Sequence, residues 1–233
     1  MAPSRAPADP TLLSWLDRES PADAPGRPLL VLLHGAEDEP VDVLAWAGVL
    51  DPSDRCRAVA VSAPFGSAPE GRVWFRSSPR GPNPDDVRQA VTRLDATIGH
   101  LRVRSGRQDC EVVVVGYSQG GAMALMLAAD PTGRSIRGVV SVCGWLPDVD
   151  GWPVGSTEQV RSAPRVLVLN TRGDDVVPVD FGEAAALALE AAGHPVERIV
   201  TEGGHHPADE TLRLVRDWLA DPGAEGTRPG DPR

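Results

Sequence analysis

Short apolar runs recur along the chain with polar, turn-rich stretches between them. Residues 29–33 read LLVLL and residues 112–115 read VVVV, with no polar residue inside either run. Runs this short and this uniformly apolar predict strands buried on both faces, the habit of a parallel sheet. Residues 57–62, 136–142, 165–170 and 196–201 predict further strands. Between them the period changes. Val87, Ala90, Val91, Leu94, Ile98 and Leu101 recur every three or four positions, one face of a helix. That helix has Asn83 as its cap, Pro84 at its first position, and Asp85 and Asp86 in its first turn. Further helices are predicted within 41–50, over 122–129, over 180–192 ahead of Gly193, and over 207–220, whereas residues 11–17 fit either a short strand or a helical turn. Alternation of strand and helix along most of the chain predicts an α/β fold, a mainly parallel sheet with helices on both faces.

Residues 65–82 and 148–163 interrupt the alternation with Gly, Pro, Ser and one tryptophan each, and long irregular segments beside strand ends tend to carry function. Residues 1–10 and 221–233 lack any apolar period and are read as disordered tails around a single domain over 11–220.

Composition narrows the classes. The 233 residues suffice for one large α/β domain. There are 33 acidic and 23 basic residues, a net charge of −10, and no lysine, so no basic patch for nucleic acid is expected. No apolar run approaches the ~20 residues that span a bilayer, and residues 1–9 lack the apolar core of a signal peptide, so the expected location is cytoplasmic. Three cysteines, Cys56, Cys110 and Cys143, cannot form a full disulfide framework and read as buried free thiols.

The valine run ends in Gly116-Tyr117-Ser118-Gln119-Gly120, and an apolar helix follows. A GxSxG turn between strand and helix is a nucleophile elbow: it holds the serine in a strained backbone conformation above the sheet edge, and its flanking glycines avoid clashes. A serine hydroxyl needs a base, itself oriented by a carboxylate. Asp174 and Asp175 follow the strand ending at Asn170, and His205 and His206 follow the strand ending near Thr201, so both pairs stand in the order serine, acid, histidine. The residues alone do not choose within either pair. No ligand spacing typical of zinc occurs, and no metal or other cofactor is expected.

Leu33-His34-Gly35, Ala63-Pro64, Trp74-Phe75, the elbow with Gly121, Ser141-Val142-Cys143-Gly144-Trp145-Leu146-Pro147, Asp174-Asp175-Val176-Val177-Pro178 and Gly204-His205 together resemble the phospholipase/carboxylesterase family of α/β-hydrolases, which includes the acyl-protein thioesterases. The resemblance spans roughly residues 26–220. It implies an α/β-hydrolase fold, Ser118 as nucleophile, Asp174 rather than Asp175 as acid, and His205 rather than His206 as base. It also implies an oxyanion hole formed by the backbone N–H groups of Ala36 and Gln119, with His34 structural. One departure stands out. Where the family commonly has a second glycine this chain has Glu37, followed by Asp38 and Glu39. A carboxylate there is expected to disfavour negatively charged acyl groups.

Phe65, Trp74, Phe75, Trp145, Leu146 and Trp152 lie on or beside the two irregular segments and are candidates for an apolar acyl pocket, with Trp74, Phe75, Trp145 and Leu146 foremost. His100 and His194 read as solvated surface residues. The expected activity is hydrolysis of a small ester or thioester through an acyl-enzyme, by a monomer or homodimer. The rivals are an acyltransferase or amidase using the same residues, and a non-catalytic ligand-binding protein of the same fold.

Overall fold

A computed structural model describes residue 7 and residues 9–18, 27–67, 70–104, 110–130, 136–150, 152 and 163–221. Seven strands form the central sheet: β1 (Trp15–Asp17), β2 (Leu29–Leu33), β3 (Arg57–Val61), β8 (Val112–Tyr117), β9 (Gly138–Val142), β10 (Arg165–Thr171) and β11 (Val196–Thr201). They lie in the order β1-β3-β2-β8-β9-β10-β11. All pairs are parallel except β1 with β3, so the ambiguous segment 11–17 supplies an antiparallel edge strand.

Alternation along β2 separates two cores. Leu29, Val31 and Leu33 face α3 (Pro84–Arg104), α4 (Gln119–Ala129) and α5 (Val179–Ala191), whereas Leu30 and Leu32 face α1 (Pro40–Leu44), α2 (Ala47–Leu50) and α6 (Asp209–Ala220). Both faces of the central strands are therefore dry, which explains why those strands read as unbroken apolar runs. Every residue of α4 is buried. The predicted stripe on α3 is buried throughout, and the Asn83 side chain caps it by accepting from the Asp85 and Asp86 N–H groups at 3.0 and 3.2 Å.

Three expectations are revised. The helix within 41–50 is two short helices broken at Ala45 and Trp46. The irregular segment 65–82 contains two small hairpins, β4 (Phe65–Gly66) with β5 (Arg72–Val73) and β6 (Ser77–Ser78) with β7 (Gly81–Pro82). Asp9 and Pro10, assigned above to a tail, are held in place. The Asp9 carboxylate accepts from the Thr11 N–H and hydroxyl at 2.9 and 2.7 Å, and Arg93 donates to the Pro10 carbonyl at 3.2 Å. The remainder of the two tails, apart from residue 7 and Asp221, and most of the segment 148–163 lie outside the described residues. The three cysteines are free thiols, two of them buried. No described helix is long and apolar enough to cross a membrane.

Candidate active site

The parallel strands all point their carboxyl ends at one edge, and β8 lies next to β2, where the chain turns from building the sheet on one side to building it on the other. That switch point is where α/β sheets open a crevice. Ser118 follows β8 there with φ 52° and ψ −118°, outside the regions that L-residues normally occupy. The neighbouring glycines are sterically required. A Cβ on Gly116 would lie 2.1 Å from the Gly120 carbonyl oxygen, and one on Gly120 would lie 2.3 Å from that of Leu33. The Ser118 N–H donates to the Val142 carbonyl at 2.9 Å, which fastens the turn to β9.

His205 sits between β11 and α6. Its Nε2 is 3.0 Å from the Ser118 Oγ and its Nδ1 is 2.8 Å from Asp174 Oδ2. The other carboxylate oxygen of Asp174 accepts the Val176 and Val177 N–H groups at 2.9 and 2.8 Å, and its side chain is fully buried. Asp175 is exposed and takes no part in these contacts. The two loops are tied together: the Thr171 hydroxyl donates to the Gly204 carbonyl at 2.7 Å, and the Gly173 N–H to that of Gly203 at 2.9 Å. Gly203, at φ 126°, makes the turn that allows this. The structure thus brings Ser118, Asp174 and His205 into one hydrogen-bonded line.

Neither the Ala36 nor the Gln119 backbone N–H has an acceptor among the described residues. Gln119 opens α4, where first-turn N–H groups lack helical partners. Its side chain does a separate job. Oε1 accepts the Trp74 N–H at 2.9 Å and Nε2 donates to the Phe75 carbonyl at 3.1 Å, so the irregular segment is clamped against the elbow.

The Ala36 loop is shaped by buried His34. Its Nε2 accepts the Ala63 N–H at 3.0 Å, which places the ring proton on Nδ1, 2.7 Å from the Gly35 carbonyl. Burial pushes this imidazole down to about 4. The unfolded chain, with an ordinary imidazole near 6.5, then takes up the proton first. His34 therefore stabilises the fold fully above about pH 6.5, and its contribution of about 3 kcal/mol is lost as pH falls towards 4. Urea unfolding at pH 7 and 4.5 should show a midpoint drop that a His34→Gln variant largely lacks. Glu37 occupies the left-handed region at φ 65°, the conformation a glycine adopts without steric cost, so the loop makes the same kind of turn at the expense of strain. Its side chain is exposed. Asp38 is the acid that turns inward: its Oδ2 accepts the Gly35 N–H at 3.2 Å, and burial followed by the charge of Asp42 raises its pKa.

The residues expected to line an acyl pocket differ in burial. Trp74 and Phe75 are completely buried and do not form an open wall. The Trp74 indole N–H donates to the His34 carbonyl at 2.8 Å, which together with the Gln119 clamp draws both rings into the core. Trp145 and Leu146 are half-buried, and Trp145 meets the Phe75 ring edge-on at 5.8 Å. His194 is buried, with Nδ1 3.5 Å from the Pro164 carbonyl, and His100 is half-buried with its ring 5.7 Å from Trp15; neither is the solvated residue expected.

Cys143 was read as packing, and it is fully buried. Its sulfur, an Asp174 oxygen and a His205 nitrogen nevertheless lie within 4.8 Å of one another, a set that could hold a soft cation. The chemistry of the donors opposes this. Burial, then the Asp174 carboxylate, pushes the thiol up to about 12, and the Asp174 and His205 atoms already bond each other.

Residues 19–221 match the phospholipase/carboxylesterase family of the α/β-hydrolase fold. The chain belongs to that family. Esterase YpfH of Escherichia coli is 28% identical over 228 residues, covering 90% of this chain and 92% of that esterase. Acyl-protein thioesterase 1 homolog 1 of Dictyostelium discoideum is 22% identical over 170 residues, covering 72% and 74% of the two chains. A carboxylesterase structure from Bacillus cereus superposes with a TM-score of 0.77 at 17% identity, covering 89% and 93%, and so shares the fold. Family membership does not by itself assign a role to any residue at the sheet edge. It does not single out the half of the site that sequence reasoning missed, the contact between Tyr117 and His206, whose atoms lie 2.9 Å apart. The signal available was an aromatic hydroxyl next to the serine and a second histidine next to the first.

Proposed function

We propose that this member of the phospholipase/carboxylesterase family is a serine hydrolase that cleaves carboxylic esters or thioesters through an acyl-enzyme on Ser118. The observation that carries the reading is the position of His205, with Nε2 3.0 Å from the Ser118 Oγ and Nδ1 2.8 Å from Asp174. Asp174 holds the tautomer that leaves Nε2 free to accept. As the Ser118 oxygen adds to the substrate carbonyl carbon, its proton passes to Nε2, and the oxyanion meets the Ala36 and Gln119 N–H groups. Collapse expels the alcohol or thiol, which takes the proton from Nε2. Water then attacks the acyl-enzyme, again losing a proton to Nε2, and the acid is released with Ser118 restored.

A small acyl group suits the surroundings best, because Trp74 and Phe75 are withdrawn into the core, and Phe65, Trp145, Leu146 and Trp152 are half-buried on or beside the irregular segments. Glu37 is exposed, so solvent and salt screen its effect on anionic acyl groups. The test is a panel of p-nitrophenyl esters from acetyl to palmitoyl, alongside labelling with a fluorophosphonate probe. Hydrolysis strongest at the short-chain end and labelling at Ser118 are expected. Folded protein that neither turns over any ester nor labels would instead be a binding protein. Acyl transfer to added alcohol or amine in preference to water would make it a transferase.

A further inference from the structure

Two consecutive residues of the elbow bond two consecutive residues of the histidine loop. Ser118 Oγ meets His205 Nε2 at 3.0 Å, and the Tyr117 hydroxyl meets His206 Nδ1 at 2.9 Å. We propose that the Tyr117–His206 contact is a second clamp between nucleophile strand and base loop, making Tyr117 and His206 positioning residues that set the distance of His205 from Ser118; this rests on the triad reading above.

The hydrogen bonds along the loop show why such a clamp is needed. From its other side the loop is tied to the end of β10 through Thr171 and Gly173, and His205 is tied to Asp174. All of those tethers fix the histidine relative to the acid. None fixes it relative to the serine. Within the described residues, the loop reaches β8 by side-chain hydrogen bonds only through the reactive Ser118–His205 contact and through Tyr117–His206. The first must break and re-form as the proton moves; the second carries no chemistry and stays closed.

Tyr117 suits this role. It lies at the end of β8, paired with Val142, and is 5% exposed, so its ring cannot swing away. Burial raises the phenol's pKa, so the hydroxyl keeps its proton, and it donates to Nδ1 in the His206 tautomer that carries its ring proton on Nε2. The three rings pack together: Tyr117 lies 5.2 Å from His205 and 5.9 Å from His206, and the two histidines lie 5.9 Å apart. Asp38 and Trp46 close the cluster. The space at Gly35 is bounded by Asp38 Oδ2 and the Tyr117 ring together, and the Trp46 ring lies tilted against Tyr117 at 5.7 Å. His206 itself is exposed, so truncating it opens no cavity in the core.

The test compares Tyr117→Phe, His206→Ala, His206→Asn and the double variant Tyr117→Phe/His206→Ala on the best ester of the panel. Tyr117→Phe and His206→Ala should each lower kcat about 5- to 10-fold with KM nearly unchanged, since geometry and not binding is disturbed. The double variant should be no worse than either single one, because one bond is lost in all three. His206→Asn, whose side-chain oxygen can accept from the Tyr117 hydroxyl, should recover most of the loss. The clamp is overturned if Tyr117→Phe keeps the wild-type kcat, if the losses multiply in the double variant, or if His206→Asn is as impaired as His206→Ala. Ser118→Ala run in parallel separates the two readings. If it remains active the triad fails, whereas an inactive Ser118→Ala beside a fully active Tyr117→Phe removes only the clamp.

Discussion

Replacing Ser118 by alanine is expected to lower ester turnover roughly 10⁴- to 10⁶-fold and to abolish fluorophosphonate labelling, with little change in thermal stability. The size follows from the reaction: without the Oγ there is no acyl-enzyme, and only direct attack by water at a polarised carbonyl is left. The proposed oxyanion donors, the Ala36 and Gln119 N–H groups, belong to the backbone and survive the change, so a small residual rate above background should persist. Stability should hold because the strained φ of 52° penalises alanine much as it penalises serine, and the N–H to Val142 bond is untouched. What disappears is one hydrogen bond, from Ser118 to a His205 side chain that is 12% exposed. Circular dichroism and a melting curve establish the fold, and a spectrophotometric assay reads the rate. A folded variant retaining more than about 1% of wild-type turnover would remove Ser118 from the nucleophile's role.

The second large effect separates the paired aspartates. Asp174→Asn should cost about 10⁴-fold in kcat with KM little changed, whereas Asp175→Asn should stay within about twofold. The loss arises from a tautomer rather than from a missing contact. The Val176 and Val177 N–H groups both point at one oxygen of residue 174, so an asparagine there must place its carbonyl oxygen towards them. Its NH₂ group is then directed at His205 Nδ1. That nitrogen becomes the acceptor, the ring proton moves to Nε2, and Nε2 faces the Ser118 hydroxyl as a donor that cannot take its proton. The backbone bonds that organise the loop are kept, so the variant should fold normally. Asp175 is exposed and has no such neighbours. The opposite pattern, an active Asp174→Asn and an inactive Asp175→Asn, would transfer the acid's role to Asp175.

Much of this molecule is decided over short stretches of chain. A run such as residues 29–33 can be stable only with both faces covered, so the parallel sheet and its two helical layers follow from local hydrophobicity. Gly116 and Gly120 are demanded by backbone contacts within the elbow and against β2, and GxSxG announces that turn wherever it follows a strand. The succession of Ser118, then an aspartate, then a histidine, each after a strand, was equally plain.

Other features were not legible because their causes lie far away in sequence. Trp74 and Phe75 are apolar enough for a pocket wall or for the core. Bonds to His34 and Gln119, 40 and 45 residues from Trp74, put them in the core. His194 looked solvated because its neighbours in the chain are turn residues, yet the fold lays it against Pro164. Composition and order alone likewise could not say that His206 would reach Tyr117 across 89 residues.

The sequence by itself determined the sheet, its helical cover, the elbow and the order of the reacting groups, since each depends on hydrophobic period or on sterics between near neighbours. Beyond the family resemblance, only the tertiary structure decided which aspartate bonds the histidine, which histidine bonds Ser118, and which aromatic rings are drawn into the core. Adjacent residues in a loop share composition and position but point in different directions, and the directions are set by hydrogen bonds to strands that the chain reaches only after folding.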